Sequence, residues 1–265
     1  IGKEEEINLK NCVKSGMVSW QGPFVKEFEK KFGNYLNAKN CLSVSNGTHA
    51  IELALRTMGI KKNDHVIVPD FTFAAVINAV FLVGAKPIIV DVDQDTWTIC
   101  PKEIKKHINK NVKAIIIVHS YGQPCKIDEI KKIVKKKNIK IIEDCAEAMG
   151  AKYKSKKIGN FSDYNTFSFY ANKVITTGEG GMVVIKNKKD AILAKGLRNQ
   201  GRFSSFDFKH KTVGTNFRMS NLQAALGLAQ IKKINFFMKK RKKIFATYDN
   251  IFKNIENILL LPKNN

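Results

Sequence analysis

The sequence of 265 residues lacks any long apolar run. Its longest nearly apolar stretch, residues 74–85, has twelve residues and contains Asn78, whereas a helix that crosses a bilayer needs about twenty. The first six residues include three consecutive glutamates and no apolar segment of the kind found in secretory signals. These absences predict a protein with no membrane span and no secretory signal within the chain.

Cysteine is scarce and irregularly spaced. The five cysteines are odd in number, and none of them are spaced as Cys-x-x-Cys. This pattern argues against a disulfide framework and against a zinc site. We therefore expect a cytoplasmic protein without metal ligands.

Acidic residues are few relative to basic ones. The chain has 23 Asp and Glu against 46 Lys and Arg, a formal charge of +23, which is compatible with nucleic-acid binding. However, the lysines occur in runs such as 135–137 and 239–243, next to Ile, Val and Phe at helical spacing. We interpret them as solvated faces of amphipathic helices, with a secondary role in attracting an anionic substrate, and expect no nucleic-acid partner.

The sequence does contain a regular alternation of short β-branched runs with longer amphipathic ones. Strands are predicted at residues 41–45, 65–68, 87–90, 114–118, 139–142, 165–170 and 182–185. Helices are predicted at about 48–58 and 73–83, after Pro101, from Asp128, near Lys188 and over about 221–252. The pattern predicts an α/β fold with a mostly parallel central sheet flanked by helices.

Polar or aromatic motifs follow the predicted strands, where parallel sheets bind their ligands. Residues 45–48, Ser-Asn-Gly-Thr, form a turn before a helix, and free N–H groups and the helix dipole favour a phosphate there. An ordinary Asn-Gly turn with a Thr cap accounts for the same residues. The segment 71–73, Phe-Thr-Phe, offers an aromatic ring that either stacks on a planar cofactor or packs in the core.

Two ionisable residues are the candidates for chemistry. Asp144 follows Glu143 at the end of an apolar strand, where a carboxylate either holds a pyridinium nitrogen protonated or caps the next segment. Lys173 lies in the largely apolar stretch 167–175 without a neighbouring lysine, and a desolvated lysine has a lowered pKa and acts as a Schiff-base nucleophile. Ser168 in the same stretch offers its hydroxyl to a phosphate.

These features belong to a set of motifs that occur together along the chain. The motifs are SVSNGTHAIELAL, VIVPDFTFAAVINAV, GAKPIIVDVD, YGQPCKIDEI, IIEDCAEAMGAKYKSKKIGNFSD, TFSFYANKVITTGEGGMV and NFRMSNLQAALGLAQI. In this order, from about Trp20 to Lys233, they closely resemble the pyridoxal-phosphate-dependent sugar aminotransferases of the DegT/DnrJ/EryC1/StrS family. The resemblance implies fold type I of the pyridoxal-phosphate enzymes and a homodimer with active sites at the subunit interface.

Carried over position by position, the resemblance implies residue roles. Lys173 matches the lysine that forms the Schiff base with pyridoxal 5'-phosphate, and Asp144 matches the carboxylate paired with the pyridine nitrogen. Glu147 matches a polar residue near the ring hydroxyl, although many relatives carry His or Gln there. Arg218 is a weaker candidate for the rim of the site, and His119 is expected to be structural. The other expected cofactor contacts are Gly47, Thr48 and Ser168 at the phosphate, Phe73 over the ring, and Asn216 reaching the phosphate from the partner subunit.

The resemblance also implies the reaction. Retention of Lys173, which a dehydratase branch replaces with histidine, indicates transamination. The expected substrates are glutamate, as amino donor, and a nucleotide-linked 4-keto-6-deoxy sugar. Segment 91–101 and the glycine-rich motif after Lys173 resemble most the perosamine-synthase group, which acts on a GDP-linked sugar and serves deoxyamino sugar biosynthesis for the lipopolysaccharide O-antigen. A UDP- or dTDP-linked keto sugar and a non-catalytic pyridoxal-phosphate-binding homologue are the alternatives.

The chain is predicted to consist almost entirely of one domain. Residues 1–235 are predicted to form the large pyridoxal-phosphate-binding catalytic domain. Residues 236–265 are predicted to be a long helix that leads to a truncated C-terminal domain, because the family normally carries a smaller domain there and this chain stops at Asn265. We therefore expect that smaller domain to be largely absent from the chain.

Overall fold

The computed structural model describes residues 1–204, 208–258 and 260, along which helices alternate with strands. The helices are α1 (Lys3–Lys14), α2 (Pro23–Leu36), α3 (Gly47–Thr57), α4 (Ala75–Leu82), α5 (Pro101–His107), α6 (Ile127–Val134), α7 (Lys188–Arg198), α8 (Asn221–Lys232) and α9 (Ile234–Phe252). The strands are β1 (Cys41–Val44), β2 (His65–Pro69), β3 (Lys86–Val90), β4 (Val112–Val118), β5 (Lys140–Asp144), β6 (Lys152–Tyr153), β7 (Lys156–Lys157), β8 (Tyr164–Ser168) and β9 (Gly181–Ile185).

The central sheet has seven strands in the order β1-β9-β8-β5-β4-β2-β3. All neighbouring pairs from β8 to β3 are parallel, whereas β9 runs antiparallel to both β8 and β1. β1 therefore points in the same direction as the parallel strands. The predicted α/β fold with a mostly parallel sheet is confirmed. β9 reverses direction because residues 169–180 join it to β8 without a crossover helix.

Helices cover both faces of this sheet, which explains why its strands are nearly continuous apolar runs. In β4, Ile115 and Ile117 belong to one buried cluster, together with residues of α2, α5 and α6. Ala114, Ile116 and Val118 belong to a second cluster, together with residues of α3, α4 and α7. Because successive strand side chains point to opposite faces, β4 contributes side chains to both clusters. The fold therefore has three layers, with the sheet between two layers of helices.

The N-terminal helices α1 and α2 are not predicted in the sequence analysis. In α2, Phe28, Phe32 and Leu36 recur at intervals of four and are buried on one face. Pro23 opens the helix, and Asn37 ends it in the left-handed conformation with φ 56°. The signals for α2 are therefore present in the sequence.

The last helical stretch, predicted as one helix over about 221–252, is two helices. α8 ends at Lys232 and α9 begins at Ile234, because Lys233 leaves the helical region with φ −95° and ψ 3°. The Lys233 Nζ lies 2.8 and 2.7 Å from the two carboxylate oxygens of Glu5 in α1. The prediction of a continuous helix is wrong at this point, since a local helical pattern does not reveal a contact with the other end of the chain.

The helix α9 is exposed along most of its length, with Ile234 as its buried residue. Residues 259 and 261–265, which end the predicted C-terminal segment, lie outside the described residues. The division of the chain at residue 235 stays a prediction. Within the described ranges, no helix combines the length and the apolar character that crossing a membrane requires.

Candidate active site

The carboxyl ends of the parallel strands meet at one edge of the sheet, and a cavity of about 780 Å³ opens there. We call it the strand-end cavity. All predicted site residues except Asn216 and the weaker candidate Arg218 are among the residues that line it. Its polar and aromatic lining comprises Asn46, Gly47, Thr48, Phe71, Thr72, Phe73, Ser120, Tyr121, Asp144, Glu147, Ser168, Tyr170, Asn172, Lys173 and Glu179.

One wall of the strand-end cavity is the N-terminus of α3 against the end of β8. The Asn46 side-chain oxygen accepts the N–H of His49 at 2.8 Å and caps α3, which leaves the N–H groups of Gly47 and Thr48 for a ligand. A Cβ atom at Gly47 would lie 2.9 Å from the Cβ of Ser168, closer than side chains tolerate. Glycine at position 47 thus allows α3 to approach Ser168. The N-terminus of α3 and the Ser168 hydroxyl form a cradle suited to a phosphate.

A buried carboxylate forms the floor of the strand-end cavity. Asp144 ends β5 with 6% exposure, and its Oδ1 accepts the N–H of Ala146 at 3.0 Å and the hydroxyl of Thr166 at 3.4 Å. Burial raises the pKa of Asp144, although the Ala146 N–H and the charge of Lys173 act in the opposite direction. A cation bound in the cavity, such as a protonated ring nitrogen, would stabilise the ionised form of this carboxylate.

The Lys173 side chain lies in the strand-end cavity beside a second carboxylate. Its Nζ is 3.5 Å from Oε1 of Glu147, and the other oxygen of Glu147 accepts the N–H of Tyr121 at 2.9 Å. Tyr121 has φ 52°, a conformation that is uncommon for a bulky residue. The Lys173 side chain is 20% exposed, so it is only partly desolvated. Its partner Glu147 is held in place by the N–H of Tyr121.

Aromatic side chains surround the mouth of the strand-end cavity. Phe73 lines the cavity and is 79% exposed, which leaves its ring free to contact a ligand. Phe71 packs against Trp97 and Tyr121, with ring centroids 6.3 and 6.0 Å apart. Tyr121 and Tyr170 are lining residues that the sequence analysis misses, although their positions directly after β4 and β8 are a signal for them.

Asn216 and Arg218 lie outside the strand-end cavity of their own chain. The Arg218 guanidinium donates to the side-chain oxygens of Asn216 and Asn199, both at 2.7 Å, and stacks over the ring of Trp20. Burial, followed by repulsion from other arginines, lowers the pKa of Arg218. The structure therefore does not bring Asn216 to the phosphate cradle within one chain, and its predicted contact from a partner subunit stays a prediction.

A buried network behind Asp144 fixes the end of β5. Glu143 Oε1 accepts the N–H groups of Phe161 and Ser162, and Oε2 accepts the N–H of Gly159 at 3.0 Å and lies 3.3 Å from Nε2 of His119. Because Nδ1 of His119 accepts the N–H of Cys125 at 3.1 Å, the ring proton lies on Nε2 and is donated to Glu143.

The same His119 and Glu143 side chains form, with Cys145, a group whose possible metal-ligand atoms lie within 4.8 Å of one another. The hydrogen bonds described above already occupy both oxygens of Glu143 and both nitrogens of His119. We therefore interpret this group as a structural hydrogen-bond network, which agrees with the structural role expected for His119.

Solved structures with this fold place the chain among the pyridoxal-phosphate-dependent aminotransferases. PseC of Helicobacter pylori, an aminotransferase of pseudoaminic acid biosynthesis, is 31% identical with a TM-score of 0.92 over 97% of this chain and 70% of that chain. S. venezuelae DesV, solved with a ketimine intermediate, is 31% identical with a TM-score of 0.94 over 99% of this chain and 70% of that chain.

The profile of the DegT/DnrJ/EryC1/StrS aminotransferase family matches residues 1–265, and the chain belongs to this family of sugar aminotransferases. Among curated relatives, GDP-perosamine synthase of Escherichia coli O157:H7 is 41% identical over 262 residues, which cover 99% of this chain and 71% of that protein. Pyridoxal phosphate is the cofactor of the family. The phosphate cradle at Gly47, the buried Asp144 and the amine of Lys173 fit this cofactor chemically.

Proposed function

We propose that this aminotransferase moves an amino group from glutamate to the 4-keto group of a GDP-linked 4-keto-6-deoxy sugar. The observation that carries the proposal is the joint placement of Lys173 and the buried Asp144 in one cavity next to a phosphate cradle. The GDP-linked sugar is supported by the 41% identity to a GDP-perosamine synthase. Deoxyamino sugar biosynthesis for the lipopolysaccharide O-antigen, in the cytoplasm, is the context that we propose.

The proposed residue roles follow from the contacts in the strand-end cavity. Pyridoxal phosphate, when bound, supplies an electron sink for negative charge next to an amino-bearing carbon. Lys173 would hold the cofactor through its Nζ and would move protons at the same atom. Asp144 pairs with the ring nitrogen and keeps it protonated, because its buried carboxylate gains most from a cationic partner.

Further contacts orient the cofactor in this proposal. The N–H groups of Gly47 and Thr48 and the hydroxyl of Ser168 bind the phosphate, and Phe73 covers the ring. Glu147, held by the Tyr121 N–H at 2.9 Å, lies near the ring hydroxyl. Asn216 lies outside its own cavity, and we propose that it completes the phosphate site of the second subunit in a homodimer.

A substrate panel tests the proposed specificity. The chain is loaded with glutamate and pyridoxal phosphate and offered GDP- and UDP-linked 4-keto-6-deoxy sugars and dTDP-linked 3-keto- and 4-keto-6-deoxy sugars, and the amino-sugar product is measured by mass spectrometry. We expect the GDP-linked sugar to be aminated fastest. Faster amination of a dTDP-linked sugar would instead favour the second candidate, which is supported by 37% identity to a dTDP-3-amino-3,6-dideoxy-alpha-D-galactopyranose transaminase of Aneurinibacillus thermoaerophilus.

The panel also distinguishes a catalyst from a cofactor-binding homologue. A non-catalytic homologue would bind pyridoxal phosphate and yet form no 2-oxoglutarate from glutamate and no amino sugar from any nucleotide. The Lys173→Ala variant provides the matched control, because it lacks the amine but keeps the cradle and Asp144.

A further inference from the structure

A second cavity, of about 590 Å³, lies at the opposite end of β8 from the strand-end cavity. Phe161 in its wall precedes β8, whereas Ser168 at the other end of the strand lines the strand-end cavity. Because β8 has five residues, roughly 16 Å of strand separates the two. A ligand in the second cavity would not touch the groups proposed for catalysis.

Four lysines line this second cavity, and we call it the lysine cavity. Lys131 comes from α6, Lys156 and Lys157 from the β6–β7 hairpin, and Lys186 from the end of β9. The rest of its lining contains no acidic residue. Separate elements of the fold therefore direct positive charges to one concave site.

Three of these lysines donate to neutral carbonyl groups. The carbonyl oxygen of Phe161 accepts from Lys131 Nζ at 2.7 Å and from Lys186 Nζ at 2.9 Å. Lys157 Nζ donates to the carbonyl oxygen of Tyr35 at 2.6 Å and lies 3.6 Å from the centre of the Tyr35 ring. These contacts fix the positions of the ammonium groups without neutralising their charge.

Among the described residues, no carboxylate forms an ion pair with a lysine of the lysine cavity, although the charges of Asp128 and Lys131 in α6 attract each other. None of the ion pairs found among the described residues includes any of the four lysines. Burial and repulsion by Lys152 lower the pKa of Lys157, and burial and repulsion by Lys131 lower that of Lys186, although Asp163 and Glu143 act on Lys186 in the opposite direction. Asp163 is exposed, and Glu143 already accepts several hydrogen bonds.

We propose that the lysine cavity is a second binding site for a small anion that carries a diphosphate group. A diphosphate offers oxygens on two adjacent phosphorus atoms, so it can accept from several ammonium groups at once. Its charge would relieve the mutual repulsion of lysines that the fold holds together. The half-buried positions of Lys131 and Lys157 reduce the screening that weakens such contacts on an open surface.

Calorimetric titration of the cofactor-loaded protein with inorganic diphosphate tests this site. Compared with wild type, the double variant Lys131→Met/Lys157→Met should bind at least about tenfold more weakly, since it loses two charged donors. The matched control Lys135→Met/Lys136→Met removes the same charge from exposed positions after α6 and should bind as wild type does. Equal weakening in both double variants, or no binding by wild type, would overturn the proposal.

Site-resolved lysine acetylation followed by mass spectrometry provides a second readout on the wild-type protein. Diphosphate should slow acetylation of Lys157 and Lys186 and leave Lys135 and Lys136 unchanged. Equal protection by a nucleoside diphosphate identifies the diphosphate group as the recognised part, whereas protection by the nucleoside diphosphate but not by inorganic diphosphate would contradict the proposal. Uniform protection of all these lysines would contradict a specific site. Because the site lies away from Lys173, its failure would leave the proposed transamination untouched.

Discussion

At the scale of single residues, the buried carboxylate of Asp144 suits the proposed cofactor but lowers the stability of the cofactor-free protein. Its carboxylate is buried at the end of β5 among neutral donors, and burial raises its pKa. The ionised form therefore destabilises the cofactor-free protein at neutral pH, and this penalty disappears as the pH falls to the ordinary range of a carboxyl group. Such a residue is useful only if a ligand supplies the missing positive charge.

Replacement of Asp144 by Asn should separate the effect of the carboxylate on amino transfer from its effect on the stability of the cofactor-free protein. We expect amino transfer to fall by about a hundredfold to a thousandfold, because an amide does not keep the ring nitrogen protonated. We expect the unfolding free energy of the cofactor-free variant to equal or exceed that of wild type at pH 8, with a smaller difference at pH 5. Steady-state kinetics and urea unfolding check the two parts.

The exposed Asp163, at the other end of the sheet, provides the matched control. Asp163→Asn should retain activity and show no such pH-dependent gain in stability. An Asp144→Asn variant as active as wild type would contradict the proposed role of this carboxylate.

At the scale of elements, the loop between β7 and β8 depends on one buried carboxylate. Glu143 accepts the N–H groups of Gly159, Phe161 and Ser162, and it also lies against His119. Burial by itself raises the pKa of Glu143, but these hydrogen bonds lower it overall. Its stabilising contribution is therefore complete above its ordinary pKa and is lost as the pH falls through the lowered value.

A Glu143→Gln substitution tests how much these hydrogen bonds of Glu143 stabilise the loop between β7 and β8. The amide nitrogen would face backbone N–H donors, so we expect the unfolding free energy to fall by about 1 to 3 kcal/mol at pH 7. The difference from wild type should shrink at acidic pH, below the ordinary value of 4.5, as wild-type Glu143 becomes protonated. Denaturant unfolding across pH measures it, with Glu129→Gln on the exposed side of α6 as control. A loss of stability that does not depend on pH would contradict the ionised state of Glu143.

The elements also show what the sequence can and cannot predict. The β/α alternation predicts the parallel strands. The sequence near the strand ends predicts Asp144 and Lys173 as site candidates, and both of them line the strand-end cavity. The break at Lys233 is not predicted, since Lys233 contacts Glu5 at the other end of the chain and a local helical pattern does not reveal that contact. The left-handed Tyr121 is not predicted because its N–H is fixed by Glu147, which lies 26 residues away.

At the scale of the whole molecule, the position of Asn216 bears on assembly. This residue does not line the strand-end cavity of its own chain. If it completes the site of a second subunit, each active site of a homodimer needs Lys173 from one chain and Asn216 from the other. The proposed dimer then becomes testable without a structure of the assembly.

Mixing two impaired variants tests shared active sites. Lys173→Ala should be inactive, and Asn216→Ala should bind the cofactor about tenfold more weakly. After unfolding and refolding as an equal mixture at limiting cofactor, about a quarter of wild-type activity should return, because half of the dimers would contain one intact site. Asn199→Ala, which removes the other partner of Arg218, serves as the control and should by itself keep wild-type cofactor affinity. Absence of recovery in the first mixture would contradict the shared site.

The central claim is that this chain removes an amino group from glutamate by means of Lys173. The most direct measurement is the half-reaction of the pyridoxal-phosphate-loaded protein with glutamate in the absence of sugar, followed by the change in cofactor absorption and by the amount of 2-oxoglutarate. We expect one 2-oxoglutarate for each bound cofactor in wild type and none in Lys173→Ala. Absence of 2-oxoglutarate from wild type, or its formation by the Lys173→Ala variant at the wild-type rate, would contradict it.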